Sequence, residues 1–181
     1  MKIRYHIITA AFAAFALISC EKPETQTATS AQSAAPDPAF AKFFTEEEMA
    51  DAVAIHTART TAKPGDEITL KGEVMGRETV FTEGRASFIL GDPEKLTTCN
   101  KIPGDKCETP WDACCDSGEL KRVGLASIQI VGEDGRVLEG NLKGTNGIKE
   151  LSSITVTGTV APQSTEDALI VNATKIHVSE P

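Results

Sequence analysis

The feature that most constrains this chain is a series of short runs in which apolar and polar residues alternate, each closed by a turn signal. Residues 67–76 (EITLKGEVMG) put Ile68, Leu70, Gly72 and Val74 on one face and polar residues on the other. A period of two marks a half-buried strand. Residues 86–90 (ASFIL) form a second run, ended by Gly91-Asp92-Pro93, and residues 125–131 (LASIQIV) a third. Gly132-Glu133-Asp134-Gly135 predicts a hairpin turn with residues 136–142 as its return strand. Residues 144–151 read as a turn with a short helical turn, and residues 153–160 and 168–178 as the last two strands. Five to six short strands over roughly 115 residues predict an all-β fold closed into a small barrel. A hydrophobic content of 40% suits one soluble domain plus tails in 181 residues.

The opening GDEITLKGEV, the ASFILGD strand and the closing LSSITVTGTV and ALIVNATKIHV resemble the OB-fold over about residues 66–178. The resemblance implies a first strand that curves around the barrel, with Gly72 and Gly76 supplying the bend. An immunoglobulin-like sandwich fits less well, because six strands and a mid-chain helical turn do not match it. Ahead of the β region (64–181), residues 40–63 predict an N-terminal helical segment. Thr45 followed by Glu46, Glu47 and Glu48 reads as a capping box, which places a helix near residues 46–58. Phe40, Phe43 and Phe44 precede it and are expected to pack on the domain.

The N-terminus reads as an address. Lys2 and Arg4 precede an uncharged apolar run at residues 7–18, too short for a spanning helix of ~20 residues and typical of a secretory signal. Leu17-Ile18-Ser19-Cys20 resembles the bacterial lipobox, which implies removal of residues 1–19 and lipidation of Cys20. Glu21, rather than Asp, after the lipid Cys slightly favours the outer membrane, with the domain in the periplasm. Loss of Lys2 and Arg4 takes the formal net charge from −8 to −10. Residues 20–39, rich in Ala, Ser, Thr, Gln and Pro, read as a disordered tether to the membrane.

The one unusual segment is residues 93–123, a long connection that holds Cys99, Cys107, Cys114, Cys115 and the single Trp, Trp111. Its CETPWDACC (residues 107–115) is similar to a loop in a group of bacterial lipoproteins that carry an OB-like domain; that resemblance implies fold and address but no activity. In an oxidising compartment four Cys read first as two disulfides. A bond between the adjacent Cys114 and Cys115 is strained, so Cys99 and Cys107 are each expected to pair with one of them. The alternative is a zinc or copper site built from Cys99, Cys107, Cys114 and Cys115, with His56, His177, Asp112 or Asp116 as further ligands. It lacks a C-x2-C knuckle. A reversible Cys114–Cys115 redox pair is a third reading, disfavoured by the acidic Asp112, Asp116 and Glu119 alongside. Haem and iron–sulfur spacings are absent. Trp111 is either cover for the crosslinked loop or a contact for a partner.

Other signals are weak. No G-x-S-x-G, phosphate loop or calcium loop occurs, so no enzymatic activity is expected and no cofactor beyond the alternative zinc or copper. Lys63, Lys71, Arg77 and Arg85 are expected near the first barrel strands. They are outnumbered by 26 acidic residues and lack aromatic platforms (5% aromatics), which argues against nucleic acid. The expected role is a lipid-anchored envelope module that binds an unidentified protein or small molecule.

Overall fold

The computed structural model describes residues 38–179. The signal segment, Cys20 and nearly all of the tether lie outside the described residues. Among the described residues there are seven strands: β1 (Phe44–Thr45), β2 (Val53–Ala54), β3 (Glu67–Glu73), β4 (Ser87–Gly91), β5 (Leu125–Gln129), β6 (Ser153–Val160) and β7 (Leu169–Val178). Two short helices join them, α1 (Ile55–Thr61) and α2 (Gly118–Gly124).

Five of the strands close on themselves. β3 pairs antiparallel with β4 at Glu73↔Gly91, and β4 with β5 from Ser87↔Gln129 to Gly91↔Leu125. β5 lies parallel to β7, β7 antiparallel to β6, and β6 returns to β3 along its whole length. This is a small all-β, OB-like barrel. β1 and β2 are two-residue additions that run parallel to β7 and β3.

The alternation explains the interior. Leu70, Val74, Phe88, Leu90, Ile128, Ile154, Val156, Val171 and Ile176 are buried in one continuous core. Phe40, from a 3-10 turn at Pro38–Phe43, is 1% exposed and belongs to the same core, so this turn is docked on the barrel. Gly72 is required by a close approach between strands. A Cβ there would lie 2.5 Å from the Gly91 carbonyl oxygen and 2.9 Å from Leu90 Cγ, so only glycine lets β3 and β4 cross so closely. Gly76, at φ 101°, turns the chain out of β3.

Two local expectations change. The helix begins at Ile55, nine residues later than the capping box suggested. Thr45 pairs with His177 in β1–β7, its Oγ1 accepts from Glu47 N in a local turn (3.1 Å), and Asp51 adopts φ 60°. Tertiary pairing therefore outcompetes the local capping signal. The expected return strand at residues 136–142 reduces to single bridges, Val131↔Val137 and Arg85↔Glu139. The strand at Ser153–Val160 has the bounds its pattern predicted.

Candidate functional site

The cysteine segment is an excursion from the β4–β5 hairpin with a closed base. Gly91 pairs with Leu125, and Asp92 N donates to the Gly124 carbonyl at 2.8 Å. Asp92 is 0% exposed and organises this base. Its Oδ2 accepts from His56 N (3.0 Å) and His56 Nδ1 (2.7 Å), and its Oδ1 from Glu94 N (2.9 Å). The first of these caps a backbone N–H in the first turn of α1, where no residue of the helix's own N-terminus does so.

The loop has a small core of its own. Met75, Leu96, Ala113 and Leu125 are buried together, flanked by Ile89, Trp111 and Leu151. The loop's two arms run side by side, Cys99 N donating to the Asp112 carbonyl (2.8 Å) and Asn100 N to that of Pro110 (3.0 Å). Trp111 fastens the outer arm to the chain after β3. Its Nε1 donates to the Glu78 carbonyl at 2.9 Å, and its own carbonyl accepts from Gly76 N at 2.9 Å. The indole is half-buried and packs against both cores. The segment, expected to be a long connection, also contains α2. Ser117 caps it by accepting from Leu120 N (3.2 Å).

This scaffold brings the sulfurs together. Sγ of Cys99 and Cys114 lie 3.4 Å apart, and those of Cys114 and Cys115 3.8 Å apart. The sulfurs of Cys99, Cys107 and Cys114 all fall within 4.8 Å of one another. All four residues are free thiols, with no pair at the ~2.05 Å of a disulfide bond. Cys99 is buried and Cys107 half-buried, whereas Cys114 and Cys115 are exposed.

Their environments separate them. Burial, then hydrogen bonds with Cys114 and Cys107, pushes the Cys99 thiol up to about 12. The Thr109 hydroxyl, 3.3 Å from Cys107 Sγ, holds Cys107 below the ordinary thiol range. Cys115 is raised, chiefly by its hydrogen bond with Cys114.

No family model, curated protein or solved structure matches the chain.

Neither histidine joins the thiols. His56 is held by Asp92, and His177 Nδ1 contacts the Thr45 carbonyl at 3.1 Å, where it fastens β1 to β7. Asp116 is likewise engaged, its Oδ2 accepting from Thr97 N at 2.7 Å. A second acidic group, His56, Asp92 and Glu94, has its ligand atoms within 4.8 Å of one another. Both oxygens of Asp92 are already taken by hydrogen bonds, which fits a structural role. Of Lys63, Lys71, Arg77 and Arg85, expected near one another, Lys71 pairs with Glu94 (3.7 Å), and Arg77 lines a different cleft from Lys71. Thr109 and Asp92 are site residues that sequence reasoning missed. Thr109 sits two residues after Cys107, the spacing that lets its hydroxyl reach the sulfur. Among the described residues no helix is long and apolar enough to cross a membrane.

Proposed function

We propose that this protein is a non-catalytic, lipid-anchored envelope module that binds a soft metal ion, zinc or copper(I), through Cys99, Cys107 and Cys114. The observation that supports this reading is the convergence of three sulfurs within 4.8 Å on a braced loop. Thiolates around one ion at a Zn–S distance of about 2.3 Å stand about 3.8 Å apart in tetrahedral geometry. The spacings of 3.4 and 3.8 Å lie close to that edge. Cys115, 3.8 Å from Cys114, lies outside this three-sulfur cluster. The envelope address rests on the basic start, the apolar run and the lipobox-like Leu17-Ile18-Ser19-Cys20.

A second reading is supported by the 3.4 Å approach of Cys99 and Cys114. In an oxidising compartment a small closure joins them and leaves Cys107 to pair with Cys115. The loop is then a structural clamp, and the module binds through another surface. Titration of the reduced, metal-free chain with zinc and copper(I) separates the two. The metal reading expects about one ion per chain, held tightly, and loss of binding in Cys99→Ser and Cys114→Ser. Weak binding that survives both substitutions overturns it.

A further inference from the structure

A groove between the two helices and the barrel wall reverses the sign of this acidic chain. Arg59 reaches it from α1, Lys121 and Arg122 from α2, and Arg77 from the segment after β3. Asp167, in the β6–β7 connection, is the one carboxylate on its wall. Four cations against one anion leave a net of three positive charges around a cavity of about 370 Å³. The chain as a whole carries 18 basic and 26 acidic residues. Ile89 and Leu125 give the groove an apolar floor.

The Arg59 fork is fixed, with Nη1 donating to the Glu166 carbonyl (3.0 Å) and Nη2 to that of Leu125 (2.9 Å). Its Nε is buried with no hydrogen-bond partner. A buried N–H left unpaired costs stability. Arg122 reaches Asp167 only at 3.9 Å, and that carboxylate is 84% exposed. Arg77 and Lys121 make no ion pair and no side-chain hydrogen bond among the described residues. Burial, and the positive charge of Arg122, already push Arg59 below its ordinary range. Like charges held this close repel, and a multivalent anion offsets the repulsion.

We infer that the groove is a binding site for a small ligand carrying a phosphate-type oxyanion. The guanidinium forks of Arg77 and Arg122 can match phosphate oxygens in pairs, Arg59 adds its charge from the wall, and Lys121 adds a point charge. Three net positive charges suit a diphosphate-like group better than a single carboxylate. The volume is that of a compact ligand, at the small end of the usual ~300–1,000 Å³ range. The site is separate from the thiol cluster and does not depend on the metal reading.

The test uses the full chain, metal-free, in phosphatidylcholine vesicles, titrated with inorganic pyrophosphate and followed by calorimetry. Saturable binding is expected, weakened about tenfold or more in Arg77→Gln/Lys121→Gln and strengthened in Asp167→Asn. Arg77 and Lys121 have no internal partners, so the double variant is expected to keep its circular dichroism spectrum and melting temperature. Repeating the titration with phosphatidylglycerol in the vesicles locates the source of the phosphate. A lower apparent affinity for pyrophosphate in wild type, with no such change in the double variant, assigns the groove to a lipid headgroup. An unchanged affinity assigns it to a free phosphate compound. No saturable binding, equal binding by the double variant, or equal binding of acetate overturns the inference.

Discussion

The wholly buried carboxylate of Asp92 takes two hydrogen bonds from His56, one from its backbone N at 3.0 Å and one from its Nδ1 at 2.7 Å. A third, from Glu94 N at 2.9 Å, fills the other oxygen. One side chain thus joins the start of α1 to the base of the cysteine loop. Asp92→Asn replaces an acceptor by a donor that faces these N–H groups, and is expected to cost about 3 kcal/mol. His56→Ala keeps the backbone cap and loses only the ring contact, so it is expected to cost about 1 kcal/mol. Urea midpoints at constant slope measure both. Equal and small losses contradict this account of Asp92.

Trp111 braces the loop by a hydrogen bond as well as by packing. Trp111→Phe removes the bond to the Glu78 carbonyl and is expected to cost about 1 kcal/mol. Trp111→Ala also empties the space between the two cores and is expected to cost about 3 kcal/mol or more. As the chain has one Trp, its fluorescence reports the loop directly. Metal added to the reduced protein is expected to change that emission in wild type and not in Cys99→Ser/Cys114→Ser.

The thiols are expected to differ in reactivity. Alkylation of the reduced, metal-free chain near neutral pH, mapped by mass spectrometry, is expected to label Cys107 ahead of Cys115 and Cys99 last. The Thr109 hydroxyl lowers the first, hydrogen bonding with Cys114 raises the second, and burial raises the third. Thr109→Val is expected to slow Cys107. Rapid labelling of Cys99 contradicts its buried placement.

The raised Cys99 thiol also sets a pH dependence. Its folded state favours the neutral form, so its stabilisation of the reduced protein is complete below the ordinary thiol range near 9. It is lost as pH climbs from there through about 12. Metal binding has the opposite slope, because each thiol must give up its proton. Metal affinity is therefore expected to rise with pH between about 6 and 9, with proton release visible in weakly buffered titrations.

The barrel was legible because its signals are local and repeated. The alternation at Ile154, Val156 and Val160 marks a buried face without any knowledge of the partner strand. Gly72 was legible for the same reason, as a gap in the apolar face. Gly72→Ala is expected to lower the melting temperature by forcing β3 from the Gly91 carbonyl, at a cost of about 1–3 kcal/mol. The helix start was misread at Thr45 because its competitor, the pairing with His177, lies far along the chain. α2 carried a readable start, Ser117 as cap with Glu119 in the first turn, but the cysteines around it favoured a loop reading. The basic groove was not legible. Arg59, Arg77, Lys121 and Arg122 are scattered in sequence, and only the packing of α1, α2 and the barrel wall gathers them.

The central claim is that Cys99, Cys107 and Cys114 hold a metal ion as thiolates. The most direct measurement is on the full chain isolated from membranes without added reductant, by native mass spectrometry with metal analysis, followed by alkylation after unfolding. The account predicts about one zinc or copper ion per chain, and alkylation of Cys99, Cys107, Cys114 and Cys115 without prior reduction. A metal-free chain whose four loop cysteines take up reagent only after reduction contradicts it.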